Sequence, residues 1–292
     1  MKLIDGKKIA EEIKISLAKE VAEIIDAGGE PPHLSAVLVG DEPASLTYIE
    51  SKERACQRVG FTSSVYRLPK TVSEEQLLET IDFLNSDPDV NGFIVQLPLP
   101  KHINADLVLQ RIDPTKDVDG FHPVNIGRLV LGLPSYLPAT PAGIIMLLER
   151  MNIETSGKHC VVLGRSNIVG TPMSLLMSRK ANPGNCTVTL CHSKTENIEE
   201  IAKQADILIA AIGQPGFVKE NMVKQGAVII DVGIHRIPDA SEKGYHIVGD
   251  VDFDRVASKC SYITPVPGGV GPMTIIGLLM NTMKAYRKEI FQ

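Results

Sequence analysis

Short apolar runs alternate with helical patterns along most of this chain, and this alternation limits its fold more than any other feature. In the first part of the chain the apolar runs cover residues 34–40, 63–68 and 92–97, and helical patterns occupy 45–60 and 73–85. A β, α, β, α order predicts a mainly parallel sheet with helices on both faces. The sequence therefore predicts an α/β fold.

A helix is predicted ahead of the first strand. Over residues 7–26, apolar side chains from Ile9 to Ile24 recur at steps of three and four, which is the stripe of an amphipathic helix. Gly28 and Gly29 follow and favour its termination.

The alternation stops between residues 98 and 141, where prolines, acids and glycines predict a loop-rich link between domains. Thr140 and Pro141 then signal a new helix. From residue 159 onward buried strands return, in the segments HCVVLG, TVTLCH, ADILIAAIG and AVIIDVG. This second block predicts a Rossmann-like domain.

The length of the chain indicates two domains. With 292 residues and 43% hydrophobic content, it exceeds the roughly 250 residues at which single cores stop growing. We expect an N-terminal domain over 1–140 and a Rossmann-like domain over 141–272, followed by a final helix over 273–292.

Charge and composition exclude several classes of protein. The chain has 30 Lys and Arg against 35 Asp and Glu, with no basic block, so we expect no nucleic-acid partner. No apolar run reaches the roughly 18 residues of a membrane span. The N-terminus has no signal-peptide pattern, and the 5 cysteines lack metal-ligand spacing. These features predict a cytoplasmic protein with reduced thiols, no membrane association and no metal.

The segment VVLGRSNIVGTP, residues 161–172, carries the clearest cofactor signal. A buried strand leads into a glycine turn and then a helix whose free N–H groups can bind phosphate. Gly164 makes the turn, Ser166 occupies the usual second-glycine position, and Gly170 allows helix and strand to approach. Such a turn also occurs in ordinary α/β structure.

The following strand favours NADP over NAD. NAD sites place an acid there to bind the ribose 2′-hydroxyl, whereas this strand ends in Cys191, His192, Ser193 and Lys194. Ser193, Lys194 and Arg165 suit a 2′-phosphate. The alternative is that these cations are simply solvated.

Tyr48 and Lys52 stand one helical turn apart, directly after a loop that follows a strand. Open α/β sheets bind ligands at that edge, so the pair is a candidate catalytic pair. The alternative is a packed phenol beside a lysine whose stem covers apolar surface.

Gln96 ends another predicted strand at the same edge of the sheet, where it can reach Lys52 or remain a polar edge residue. Asp117 and Asp119 flank a turn in KDVDG. One of these carboxylates can accept two hydrogen bonds from a heterocycle. An ordinary Asp-Gly turn explains the same residues.

Taken together, these motifs resemble the bifunctional methylenetetrahydrofolate dehydrogenase/cyclohydrolase family over essentially the whole chain. The matching segments are GDEPASLTYIESKERAC (40–56), GFIVQLPLP (92–100), KDVDGFHPVNIGRL (116–129), GRSNIVGTP (164–172), CHSKT (191–195) and TPVPGGVGPMT (264–274).

The resemblance implies a role for each matching residue. It makes Lys52 the catalytic lysine of the cyclohydrolase step, with Tyr48 stacked on the folate, Gln96 tuning the lysine and Asp119 holding the pterin edge. The folate site would also include Val95, Leu97, Pro267, Gly268, Gly269, Val270 and Gly271. Cofactor contacts would fall on Gly164, Arg165, Ser166, Ser193 and Ile234.

The same resemblance implies that the enzyme oxidises 5,10-methylenetetrahydrofolate with NADP and hydrolyses the methenyl product to 10-formyltetrahydrofolate. It also implies a homodimer paired through the cofactor domains, and a last helix that returns to the first domain. Leu46 and Ala139 depart from the family pattern, at positions where glutamine and cysteine are common. Neither position carries an assigned chemical role.

Two rival functions remain. A short-chain dehydrogenase also uses Tyr-xxx-Lys, but its pair follows the dinucleotide motif by over a hundred residues, whereas here the pair precedes it. A non-catalytic folate- or nucleotide-binding protein would keep the pocket without turnover.

Overall fold

The computed structural model describes residues 1–241 and 244–291. The chain divides into two compact units. The first unit comprises Glu11–Ala139 and Ile275–Gln292, and the second comprises Met1–Ala10 and Thr140–Thr274. Both units contain parallel strands and helices, which confirms the predicted α/β fold class.

The strands, in chain order, are β1 (Lys2–Leu3), β2 (His33–Val39), β3 (Thr62–Leu68), β4 (Gly92–Val95), β5 (His159–Leu163), β6 (Thr187–Cys191), β7 (Ile207–Ala210), β8 (Val228–Asp231), β9 (His235–Pro238), β10 (Tyr245–Val248) and β11 (Tyr262–Ile263). The helices are α1 (Gly6–Asp26), α2 (Pro43–Val59), α3 (Glu74–Ser86), α4 (Ala105–Arg111), α5 (Pro123–Val130), α6 (Ala139–Arg150), α7 (Gly170–Ser178), α8 (Ile198–Ala202), α9 (Phe253–Val256) and α10 (Val270–Tyr286).

The first unit is built on a parallel three-stranded sheet in the order β3-β2-β4. Val37 of β2 pairs with Val95 of β4, and both side chains are buried in a core that α3 completes with Leu77 and Ile81. Parallel strands covered by helices are apolar on both faces, which is why these runs contain few polar residues. The carboxyl ends of β2 and β4 consequently lie side by side.

The predicted loop-rich link over residues 98–141 is wrong. This segment folds as part of the first unit and contains α4 and α5. Asn104 caps α4 by accepting from the backbone N–H of Asp106 at 3.0 Å, and Val108 is fully buried. These helices have 7 and 8 residues, too few for an apolar stripe to show in the sequence.

The second unit contains a parallel sheet in the order β1-β11-β8-β7-β5-β6. The chain moves from β5 outward to β6, then returns to β7 on the other side of β5. The strand order therefore reverses between β5 and β7, and doubly wound sheets bind ligands at such a point, beyond the carboxyl ends of the strands.

Residues 1–10 belong to the second unit, whereas the sequence placed them in a domain spanning 1–140. Backbone pairing gives the reason, because Lys2 lies opposite Tyr262 and Leu3 opposite Ile263 in a parallel ladder. A strand of two residues is too short to show a period, so no sequence pattern indicated this pairing.

An antiparallel ribbon of β9 and β10 forms a separate two-stranded sheet in the second unit. It was not predicted, since its residues alternate between half-buried and exposed without a strong apolar run. The Arg236 guanidinium carbon lies 4.9 Å from the centre of the Tyr245 ring across the ribbon.

The C-terminal helix α10 returns to the first unit from Ile275 onward, as predicted. Leu278, Leu279 and Met283 are buried. The side-chain amide of Asn281 donates to the carbonyl oxygens of Val118 and Leu137, both at 2.8 Å. This helix therefore closes the first unit through its apolar face and two side-chain hydrogen bonds.

Within the described residues, no helix combines the length and apolar character needed to cross a bilayer. The same residues contain no group of three or more His, Cys, Asp or Glu side chains placed to hold a metal ion. All 5 cysteines are buried and unpaired.

Candidate active site

Helix α2 carries Tyr48 and Lys52 at the carboxyl end of β2. Pro43 stands in its first turn, where a missing backbone N–H costs nothing, and Gly60 ends it with a φ of 82°. Tyr48 is 41% exposed, so its ring is open to a ligand, while Lys52 is half-buried. The helix thus presents an accessible aromatic ring one turn before a partly desolvated amine.

Gln96 contacts Lys52 directly. The Lys52 Nζ donates to Gln96 Oε1 at 3.1 Å, and the Gln96 side-chain nitrogen donates to the carbonyl oxygen of Leu97 at 2.7 Å. The backbone N–H of Gln96 donates to Val37 O at 2.9 Å, which fixes the residue at the sheet edge. The structure therefore brings Lys52 and Gln96 together, which the sequence left open.

Asp119 lies close enough to Lys52 for each charge to influence the other. Burial lowers the pKa of Lys52, and the charges of Asp119 and Cys56 oppose that shift. Burial raises the pKa of Asp119, and the charge of Lys52 opposes it. The site thus contains a desolvated amine beside a desolvated carboxyl, and the pKa of each is shifted in the direction that favours its neutral form.

Asp117 has a different task from Asp119. Its buried carboxylate accepts from the backbone N–H groups of Phe121 at 3.2 Å and His122 at 2.8 Å, and from the Asn125 side chain at 2.8 Å. Burial raises its pKa to about 7, and these hydrogen bonds oppose the rise. Asp117 therefore braces the turn that presents Asp119.

Gly120 completes this turn with a φ of 74°. A Cβ at this position would lie 2.7 Å from the backbone nitrogen of Pro138, so no other residue fits without a backbone shift. The local sequence did not distinguish the two acids, and only the family resemblance assigned a ligand to Asp119. Two of the three donors to Asp117 are backbone N–H groups, which do not depend on the residue type.

The predicted folate-site segment 95–97 begins at the last residue of β4. Val95 is 2% exposed, so only its backbone can face a ligand, whereas Leu97 is half-buried. These residues lie beside Gln96 at the edge of the sheet in the first unit. Their proximity to Lys52 follows from the Lys52–Gln96 hydrogen bond.

In the second unit, the turn after β5 leaves no space for a side chain at its two glycine positions. A Cβ on Gly164 would lie 2.1 Å from Ala211 O, and one on Gly170 would lie 1.8 Å from Gly164 O. The Ser166 hydroxyl accepts from the N–H of Gly170 at 3.4 Å and that of Val169 at 3.2 Å, at the start of α7. Gly164, with a φ of 108°, lies in the turn as predicted, and Gly170 allows the predicted close approach.

The end of β6 lies beside that turn, because the Gly164 N–H donates to Cys191 O at 2.9 Å. The next turn is closed by the His192 N–H donating to Thr195 Oγ1 at 2.9 Å. Arg165, Ser193 and Lys194 are all exposed. The described residues after β6 thus present a hydroxyl and a cation to solvent, with no acid among residues 191–195.

The predicted segment 267–271 belongs to the second unit. Gly268 has a φ of 106°, and its carbonyl oxygen accepts from the Lys7 N–H at 2.8 Å. A Cβ on Gly271 would lie 3.5 Å from the Ile234 side chain, and Ile234 is 46% exposed. The second unit therefore brings a predicted cofactor residue next to a predicted folate residue.

Family models match both parts of the chain. Residues 4–119 match the catalytic domain of tetrahydrofolate dehydrogenase/cyclohydrolase, and residues 138–290 match its NAD(P)-binding domain. The chain is 60% identical to the bifunctional protein FolD of Cytophaga hutchinsonii, over 98% of this chain and 99% of that relative. It is 59% identical to the protein of the same name from Bacteroides thetaiotaomicron, over 100% of both.

Solved structures agree with these matches. The structure of a bifunctional FolD methylenetetrahydrofolate dehydrogenase/cyclohydrolase from Campylobacter jejuni is 46% identical with a TM-score of 0.93, covering 99% of both chains. The FolD structure from Trypanosoma brucei, solved with NADP cofactor and an inhibitor, is 38% identical with a TM-score of 0.93. It covers 99% of this chain and 98% of that one.

Proposed function

The chain belongs to the tetrahydrofolate dehydrogenase/cyclohydrolase family and is an enzyme with both activities, and we propose that its first unit binds the folate and its second unit binds NADP. It oxidises 5,10-methylenetetrahydrofolate to 5,10-methenyltetrahydrofolate and hydrolyses that product to 10-formyltetrahydrofolate. The observation that carries the assignment of roles is the desolvated Lys52 amine, hydrogen-bonded to Gln96 and influenced by the charge of Asp119.

Lys52 is the proton carrier of the hydrolytic step. Water attacks the methenyl carbon, and the added oxygen loses both of its protons. One proton goes to the Lys52 amine and then to solvent, and the other ends on the nitrogen that leaves when a carbon–nitrogen bond of the bridge opens to give the formyl group. A neutral amine can accept the first proton near neutral pH, and burial favours the neutral amine by lowering the pKa of Lys52. Gln96 Oε1 holds the amine in place from the sheet edge.

Asp119 and Tyr48 bind the folate in this proposal. A carboxylate held by a rigid turn can accept two hydrogen bonds from the amidine-like edge of the pterin. The Tyr48 ring, 41% exposed on α2, offers an aromatic face for stacking. Binding by these two groups positions the one-carbon bridge near Lys52, and such positioning is a large part of what hydride transfer requires.

The turn after β5 fits a dinucleotide. Gly164 and Gly170 leave no side chain between the strand and α7, so a pyrophosphate can approach the backbone there. Arg165 and Ser193 are exposed beside it for a 2′-phosphate. NADP supplies the hydride acceptor for the oxidation. The absence of an acid among residues 191–195 favours NADP over NAD.

Mixing the protein with methylenetetrahydrofolate and NADP tests the proposal. We expect absorbance from NADPH and transient methenyltetrahydrofolate, followed by loss of the methenyl signal as 10-formyltetrahydrofolate forms. A parallel assay with methenyltetrahydrofolate alone measures the cyclohydrolase step. Binding of both ligands without either absorbance change would identify a non-catalytic binding protein instead.

We also infer a homodimer that pairs through the second unit, in the cytoplasm. The β9–β10 ribbon supports the pairing, because an isolated two-stranded ribbon is marginally stable in water and gains from a partner. The buried, unpaired cysteines suit a reducing compartment. Light scattering after size-exclusion chromatography should give twice the chain mass of 31.7 kDa, and a mass equal to one chain would contradict the dimer.

A further inference from the structure

Asp250 is a fully buried acid in the second unit that no assigned role uses. Its Oδ2 accepts from the backbone N–H groups of Ile212 at 2.8 Å and Gly213 at 3.0 Å. Its Oδ1 lies 2.7 Å from His235 Nε2. Because a carboxylate only accepts, the imidazole nitrogen is the donor. One carboxylate therefore binds three donors from two separate segments.

The turn formed by Ile212 and Gly213 stands at the cofactor edge of the sheet. It follows β7, and the strand order reverses between β5 and β7. The preceding residue, Ala211, donates to Leu163 O at 2.8 Å, and its carbonyl oxygen is the atom that excludes a Cβ from Gly164. The position of this turn thus determines the shape of the glycine turn that we assign to the pyrophosphate.

The His235 contact reaches a second part of that edge. His235 begins β9 directly after Ile234, which is 46% exposed beside Gly271. The His235 side chain is itself only 20% exposed, so the ring is held against Asp250 and not free in solvent. The same carboxylate therefore links the 212–213 turn to the residue that directly follows the predicted Ile234 contact.

Asp231 anchors Asp250 in turn. Its Oδ1 accepts from the Asp250 N–H at 2.8 Å and from the Gly233 N–H at 3.0 Å, while its Oδ2 accepts from the Val251 N–H at 3.0 Å. Asp231 ends β8, next to β7 in the sheet. Asp250 is consequently held by a rigid strand end, so that its own carboxylate has a fixed location.

We propose that Asp250 is a positioning residue for NADP, which holds the 212–213 turn and the Ile234–His235 segment in the shape that cofactor binding requires. The proposal rests on the assignment of the NADP site to the second unit. A carboxylate suits the task because it accepts from all three donors, whereas an amide would turn its NH2 group toward one of them. The hydrolytic step does not use NADP and should not depend on Asp250.

The variant Asp250→Asn, made in the whole chain, tests whether NADP binding depends on Asp250 while the hydrolytic step does not. We expect the KM for NADP and the Kd from fluorescence titration to rise about tenfold, the loss usual for one hydrogen bond to a charged group. Cyclohydrolase activity, measured on methenyltetrahydrofolate without NADP, should stay within about twofold of wild type. A fall in both activities together with a lower melting temperature would show that Asp250 only stabilises the fold, and this result would overturn the proposal.

His235 provides a second route if Asp250 variants fold poorly. His235→Ala removes one donor and should raise the KM for NADP severalfold, while His235→Gln, whose amide can donate to Asp250, should restore most of the loss. Unchanged affinity in His235→Ala, together with a glutamine variant no better than alanine, would also overturn the proposal.

A matched pair on the same ribbon serves as control. His246 Nδ1 lies 2.8 Å from Asp239 Oδ2, but both residues are exposed, and the N–H groups of the 212–213 turn donate to Asp250 instead. Asp239→Asn and His246→Ala should leave the KM for NADP unchanged. If wild type itself shows no NADP-dependent oxidation, the proposed function fails. If wild type is active and the Asp250 and His235 variants keep its KM for NADP, only the positioning role of Asp250 fails.

Discussion

Lys52 and Asp119 oppose each other's pKa shifts within one desolvated site. Burial drives the pKa of the lysine down and that of the aspartate up, while each charge stabilises the other. In the proposed function, the one-carbon bridge lies beside Lys52, and the bridge will further disfavour the charged amine when it becomes cationic. Under the proposed function, the neutral lysine is therefore most populated when the hydrolytic step needs it.

Lys52→Met should separate the two activities. Methionine keeps much of the aliphatic stem and removes the proton carrier, so cyclohydrolase turnover should fall by roughly two to four orders of magnitude. The dehydrogenase should remain active and methenyltetrahydrofolate should accumulate, as followed by its absorbance. If both activities fall while folate binding persists, Lys52 acts instead in hydride transfer or in ordering the site.

Gln96→Glu should shift the pH profile of the cyclohydrolase upward. The amine must be neutral to accept a proton, so the rate rises with pH through the pKa of Lys52. A carboxylate at the position of Gln96 Oε1, 3.1 Å from Nζ, favours the charged amine and should raise that pKa by about one unit or more. Gln96→Met adds no charge and is the control. A profile that stays in place for Gln96→Glu would contradict Lys52 as the titrating group.

Arg165→Ala should weaken NADP specifically. Loss of one charge-assisted contact to the 2′-phosphate costs roughly 1.5 to 3 kcal/mol in kcat/KM with NADP, and little with NAD. Lys203→Ala, an exposed cation following α8, removes the same charge elsewhere and should leave both cofactors unaffected. Equal losses with NADP and NAD would refute the assignment of Arg165 to the 2′-phosphate.

Asn281→Leu should destabilise the first unit. The substitution leaves the carbonyl oxygens of Val118 and Leu137 without their donor, at a cost of about 1 to 3 kcal/mol for each buried group that stays unpaired. Thermal unfolding followed by circular dichroism should show a lower midpoint. Asn221→Leu, at an exposed position of the second unit, should change it little. An unchanged midpoint for Asn281→Leu would show that α10 is held by its apolar face alone.

Local patterns predicted most of the regular structure. The strands and helices predicted over residues 7–97 lie within 2 residues of those observed, because each has a clear period or an apolar run bounded by glycine, proline or polar residues. The fold class, the two activities and NADP were likewise predicted and are confirmed. Short elements such as α4 and β1 were not found, because they contain too few residues for a period.

The supporting acids were beyond the reach of sequence reasoning for a different reason. Asp250 binds the N–H groups of Ile212 and Gly213, which stand 38 and 37 positions earlier in the chain. The motif KDVDG identified Asp117 as a candidate residue, but its role depends on backbone N–H donors, which do not depend on the residue type. The backbone groups that a side chain binds can be identified only when the three-dimensional structure of the turn is known.

The division of the chain between the two units has a consequence for synthesis on the ribosome. Strand β1 pairs with β11, so its ladder cannot form until residues 262–263 have been made. The first unit likewise waits for Ile275–Gln292, although residues 11–139 emerge early. Neither unit can therefore reach its final hydrogen bonding until residues far along the chain have been made.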